Sequence, residues 1–126
     1  MTHKIIIISG ATATGKTAYG LELANKLIQN NEKVVIINFD SLLFYKELNI
    51  GTAKPTKQEQ ENVLHEMIDI TSAHNPMNAF DYSNLALKHI VNYQKKGFNI
   101  LLIGGSGFYL RALIKGMYES PPISIE

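Results

Sequence analysis

Three apolar runs divide the chain: Ile5–Ile8, Val34–Phe39 and Asn99–Ile103. Each is nearly continuous where a half-exposed strand would alternate. That is the pattern of strands buried on both faces, as in a parallel sheet. Between the runs the apolar period lengthens to that of a helix. Tyr19, Leu21, Leu23, Ala24, Leu27 and Ile28 share one face of a helix predicted from about Gly15 to Gln29. A longer amphipathic helix is predicted over Ala79–Lys96, with Tyr82, Leu85, Ala86, Ile90 and Tyr93 inward and Gly97 just past its end. A third is predicted from Phe108 to about Lys115, ended by Gly116.

The remaining stretches are more polar. Thr56–Leu64 reads as a short helix capped by Thr56, with acidic residues near its start. His65–Ile70 alternates and reads as a short strand. Pro76 breaks the loop over Thr71–Asn78, and Ser120-Pro121-Pro122 opens a tail with no further core. Strands alternating with helices predict an α/β fold in one domain over residues 1–126.

The first strand-to-helix turn carries chemistry. Gly10-Ala11-Thr12-Ala13-Thr14-Gly15-Lys16-Thr17 fits G-x-x-x-x-G-K-[ST] at every fixed position. Gly10 and Gly15 let the backbone turn its N–H groups inward around a phosphate, and a helix N-terminus favours the anion. Lys16 adds a full positive charge, and Thr17 offers a hydroxyl to a Mg²⁺ ion shared with the phosphate. The expected fold is therefore a P-loop NTPase-like parallel sheet with flanking helices. Kinases, NTPases, switches and transferases all use such a loop, so the motif names no reaction.

Two further strand ends are candidates. In open α/β sheets ligands sit beyond the carboxyl ends of the strands. Asp40 lies at such an end, although Asp40-Ser41 would equally cap a short helix over Leu42-Leu43-Phe44-Tyr45. Gly104-Gly105-Ser106-Gly107 is either a close approach to a ligand or a tight turn. Lys46 and Lys54 read more simply as solvated surface than as phosphate contacts. His3, His65, His74 and His89 are too scattered to propose a metal site.

Composition narrows the field. The net charge of +1 gives no bulk electrostatic argument for nucleic acid. Without cysteine there is no disulfide framework and no thiolate zinc site. No apolar run is long enough to span a membrane and no signal-peptide pattern precedes Ile5, so no membrane association and a cytoplasmic location are expected. No buried strand ends in the acidic pattern of an ATPase, and the first arginine is Arg111. Both features weaken a kinase or NTPase reading.

Four blocks together, GATATGKT, DSLLFYKELNIGTAKP, HEMIDI and LLIGGSGFYLRALIKG, resemble the amino-terminal part of the tRNA dimethylallyltransferase (tRNA isopentenyltransferase) family over about Ile5 to Pro122. The second block is much more specific than the P-loop. The resemblance implies transfer of a dimethylallyl group from dimethylallyl diphosphate to N6 of adenosine 37 in tRNA. It implies that Gly10 to Thr17 hold the donor diphosphate, with Mg²⁺ at Thr17. Asp40 matches the family's proton acceptor. Ser41, Leu42 and Leu43 match the segment that meets the target nucleotide. Ser106 stands where the family usually has Thr beside the acceptor. Tyr45, Lys46, Thr52, Lys54 and Pro55 match a positioning loop.

The chain departs from the family pattern at Leu64 and Glu66, and in length. Family members carry a helical tRNA-binding insertion and a later diphosphate-binding Arg. The expectation is therefore a truncated member with little or no activity alone, with a second chain as one source of the missing half. Other readings are an adenylate isopentenyltransferase, an ATP-binding P-loop kinase and an inactive fragment that binds phosphate or a partner.

Overall fold

The computed structural model describes residues 4–9, 13–47, 54–105 and 107–119, with residues 13–17 as backbone only. The elements run β1 (Ile5–Ser9), α1 (Ala13–Gln29), β2 (Lys33–Asn38), a 3-10 turn (Ser41–Leu43), α2 (Lys57–Asn62), β3 (Leu64–Glu66), α3 (Ala79–Lys95), β4 (Phe98–Gly104) and α4 (Gly107–Glu119).

The four strands form one sheet in the order β1-β4-β2-β3, parallel throughout. Alternate side chains feed two cores. Val35, Ile37, Ile100 and Leu102 face α3 and α4, where they meet Ala86, Ile90, Leu113 and Met117. Val34, Ile36, Leu101 and Ile103 face α1 and meet Ala24, Leu21 and Leu27. The result is three layers, α/β/α, as the strand–helix alternation predicts.

Burial on both faces holds for β2 and β4 but not for β1. Among the described residues β1 bonds only to β4, and Ile7 is 44% exposed. An edge strand of this sheet keeps one side open, whatever its composition. Helix α1 begins at Ala13, two residues before the expected start. Its inner face is Gly20, Leu21, Leu23, Ala24 and Leu27, while Tyr19 and Ile28 turn outward.

Two other boundaries differ from expectation. HEMIDI is not one strand. Pairing with β2 stops at Glu66, and Met67 and Asp69 take left-handed φ of 70° and 54°. The chain leaves the sheet there because the Asp69 and Ile70 N–H groups donate to the carbonyls of Leu43 and Phe44, at 2.9 and 2.8 Å.

Gly116 does not end α4, which continues to Glu119. A Cβ at Gly116 would lie 2.8 Å from Ser83 Oγ of α3. Ser83 is buried and its hydroxyl donates to the Ala112 carbonyl at 3.1 Å. Gly116 is therefore a packing residue at a close helix crossing. Other predicted features hold: Thr56 and Glu59 form a reciprocal capping box on α2, and Gly97 follows α3 with φ 84°.

Candidate active site at the strand carboxyl ends

The register brings three chain turns to one rim. Ser9 of β1 is level with Gly104 of β4, and Asn38 of β2 is level with Ile103. The turn into α1, the Asp40 segment and the turn into α4 thus leave the sheet from three adjacent strands. This is the crevice position for ligands in open α/β sheets.

Beyond β2 the Phe39 N–H continues the ladder to the Ile103 carbonyl at 2.9 Å, and the Phe39 ring is fully buried. A Cβ at Gly104 would lie 2.3 Å from Phe39 Cδ1, so no larger residue fits where β4 ends. This contact accounts for Gly104 as packing, which neither reading of that turn anticipated.

Asp40 is half-buried and extended, with φ −87° and ψ 116°. It is the N-cap of the 3-10 turn: Oδ1 accepts the Leu42 N–H at 3.1 Å. The capping reading of Asp40 is thus correct, and it leaves the second oxygen for other work. Among the described residues no hydrogen bond or ion pair engages Oδ2. Asn38 brackets the Asp40 backbone. Its Oδ1 accepts the Asp40 N–H and its Nδ2 donates to the Asp40 carbonyl, both at 2.9 Å.

Ser41 opens the turn and Leu42 is 54% exposed. Leu43 is buried and packs downward. It lines a small apolar pocket with Leu21, Ile36, Pro55 and Ile103.

The segment after the turn rests on an aromatic cluster. Phe44 stacks on Tyr82 with centroids 5.2 Å apart, and Tyr109 meets both rings edge-on at 5.1 and 5.5 Å. The Tyr82 hydroxyl donates to the Asn38 carbonyl at 2.9 Å. Burial pushes its phenol far above the ordinary value, so it stays a donor at all working pH.

Lys54 is no free surface cation. Its Nζ donates to the Tyr45 carbonyl at 3.0 Å and pairs with Asp69 at 2.5 Å. It ties its own segment to the Tyr45 and Asp69 segments. Lys46 is exposed and Pro55 is buried. Glu47 accepts from Ser72 Oγ at 2.7 Å and from the Ala73 N–H at 2.9 Å, and these bonds hold its carboxyl below the usual range. His65 is pushed below its ordinary value by burial, with Nδ1 2.7 Å from the Val63 carbonyl, and serves as a packed neutral side chain.

Gly10, Ala11, Thr12, Thr52 and Ser106 lie outside the described residues, as do the side chains of Ala13, Thr14, Gly15, Lys16 and Thr17. Sequence reasoning passed over Asn38, Tyr82 as a polar group, and the Lys54–Asp69 pair. Only Asn38 left a signal, as the one polar residue in VVIINF. Among the described residues no three His, Cys, Asp or Glu side chains converge as a metal-binding group. No described helix is long and apolar enough to cross a membrane.

These features define the class: an α/β protein of the P-loop NTPase-like type, with a candidate site at the carboxyl rim of a parallel sheet. The model for the IPP transferase family matches residues 43–125, and the chain belongs to that family. The tRNA dimethylallyltransferase of Thermosipho melanesiensis is 44% identical over 119 residues, covering 94% of this chain and 38% of that protein. That of Bifidobacterium longum strain NCC 2705 is 40% identical over 114 residues, covering 90% and 35%. The crystal structure of the full-length tRNA isopentenylpyrophosphate transferase from Bacillus halodurans matches 90% of this chain and 36% of its own. Its TM-score is 0.77 at 35% identity. A eukaryotic dimethylallyltransferase acting on tRNA matches at TM-score 0.72 and 26% identity, over 90% of this chain and 27% of its own. The chain spans little more than a third of the length of these curated relatives, between 35% and 38%.

Proposed function

We propose that this chain forms the donor-binding and proton-accepting part of a tRNA dimethylallyltransferase. The substrates are dimethylallyl diphosphate and N6 of adenosine 37 in tRNA, and the setting is the cytoplasm. The observation that carries the reading is the position of Asp40. Its backbone is bracketed, one carboxylate oxygen is anchored, and it stands on the strand rim that also receives the P-loop turn.

In the reaction the N6 lone pair attacks C1 of the allylic chain. The C1–O bond breaks and its electron pair leaves with pyrophosphate. The exocyclic amine is a weak nucleophile whose acidity rises as the C–N bond forms, so a carboxylate at N6 assists by taking its proton. Asp40 Oδ2 takes that proton, while Oδ1 stays on the Leu42 N–H. Negative charge grows on the leaving group. Lys16 and the loop N–H groups of Gly10 to Thr17 stabilise it. The donor set suits Mg²⁺, which takes one or two protein oxygens and fills its shell with phosphate and water. Thr17 would supply the protein oxygen, and the ion would add charge to stabilise the leaving group. Ser41, Leu42, Leu43 and Ser106 match the family positions that meet the adenine, which must leave its stack to enter.

Calorimetric titration of the chain with dimethylallyl diphosphate and Mg²⁺, beside ATP and beside Lys16→Ala, tests the reading. Donor binding that exceeds ATP binding and is lost in the variant supports it. A preference for ATP refutes it in favour of a kinase.

A further inference from the structure

Asn38 is the last residue of β2 and is 3% exposed. Its side-chain amide contacts the backbone at three points. Oδ1 accepts the Asp40 N–H at 2.9 Å, and Nδ2 donates to the Asp40 carbonyl at 2.9 Å and to the Met67 carbonyl at 3.0 Å. Both N–H donors are used, and the oxygen faces the one donor present. The reversed amide would set its nitrogen against an N–H and its oxygen against two carbonyls, so only this orientation satisfies the site.

We propose that Asn38 is the positioning residue for Asp40, fixing where the carboxylate stands above the sheet. The inference rests on the reading of Asp40 as proton acceptor. The Asp40 φ and ψ bonds lie between the two groups that Asn38 holds. A bracket at both ends therefore fixes the direction of its Cα–Cβ bond. The bracket is itself anchored on three sides. Asn38 lies level with Ile103 on β4, and its own carbonyl accepts the Tyr82 hydroxyl of α3 at 2.9 Å. The third anchor is Met67, at a left-handed φ of 70° where the chain turns away from β3. Satisfying a buried strand end needs one bond. Holding both ends of the following acidic residue needs a side chain with a donor and an acceptor at this length, and Asn provides it. Asp offers no donor when ionised, and Gln is one methylene too long.

The test compares Asn38→Asp, Asn38→Ala and Asp40→Asn with Val35→Ala, which weakens the same strand without touching the bracket. Transfer from dimethylallyl diphosphate to an anticodon stem–loop gives kcat and KM across pH, and NMR gives amide exchange and the Asp40 carboxyl ¹³C shift. Expected is a fall in kcat of about a hundredfold for Asn38→Asp at neutral pH, with KM for the donor unchanged. Asn38→Ala, with neither donor nor acceptor, lowers kcat as well. The Asp40 amide exchanges at least about tenfold faster in Asn38→Ala, beyond any change in the β2 amides.

A defective Asp40→Asn beside Asn38 variants no worse than Val35→Ala overturns the positioning role and leaves the reading of Asp40 standing. Undiminished transfer by Asp40→Asn overturns that reading, and the proposal with it. If the parent chain does not turn over, exchange and ¹³C shift decide, and unchanged values in Asn38→Ala overturn the proposal.

Discussion

Gly116→Ala sets two effects of similar size against each other. In an exposed helix the change would stabilise by about 1 kcal/mol, because glycine has the greater backbone entropy to lose. Here the new Cβ would sit 2.8 Å from Ser83 Oγ, closer than real contacts allow. Ser83 is 7% exposed, and its hydroxyl is committed to the Ala112 carbonyl at 3.1 Å. Relief requires rotating Ser83 away, losing a bond of about 1 kcal/mol, or opening the α3–α4 contact. Overpacking of this kind costs about 1–3 kcal/mol. The net expectation is destabilisation of about 0–2 kcal/mol. Equilibrium urea unfolding, followed by far-UV circular dichroism, reads this as a lower midpoint at unchanged slope. The cycle with Ser83→Ala isolates the cause. The double variant should be more stable than the sum of the singles by about 1 kcal/mol or more, since it removes the colliding oxygen. A Gly116→Ala chain more stable than its parent, or additivity in the cycle, would refute the close-crossing argument and return Gly116 to the role of a helix terminator.

Other consequences can be measured alongside. Lys54→Met removes the cation joining Asp69 to the Tyr45 carbonyl; Asp69 is 44% exposed, so solvent softens the loss to about 1 kcal/mol, read from the same unfolding curves. Burial and the 2.5 Å bond to Glu66 push the Tyr93 phenol up to about 12. A raised value means the native state holds its proton more tightly than the unfolded chain, so this contribution is intact below about pH 10 and lost between about 10 and 12. Alkaline unfolding should be shallower in Tyr93→Phe, and an identical profile would contradict the Glu66 contact. His65 has the opposite sign: its lowered value makes stability fall as pH drops below about 6.5, and its ring should titrate below that by NMR. Asp40→Asn should keep donor affinity while lowering kcat for transfer by roughly 10²–10⁴, the usual worth of a positioned base.

Much of the fold was legible because its signals are local. Continuous apolar runs marked β2 and β4, the cap at Thr56 marked where α2 begins, and Gly97 marked where α3 ends. The errors fell where a distant segment overrode the local signal. HEMIDI alternates like a strand, yet carbonyls from the Leu43–Phe44 segment draw it off the sheet after Glu66. Gly116 reads as a stop, yet α3 requires it within the helix. Lys54 reads as solvated, yet Asp69 and the Tyr45 carbonyl hold it.

The same division runs through the candidate site. Sequence alone determined that Asp40 follows a buried strand and that a phosphate-cradle motif follows the first strand, because both are properties of neighbouring residues. It could not order the strands. Only tertiary structure put β4 between β1 and β2, and so joined the three turns at one rim. Nor could it single out Asn38, whose role depends on Met67 and Tyr82, 29 and 44 residues away. A hydrogen bond between distant residues leaves no period or spacing in the chain, and it exists only once packing has brought its partners together.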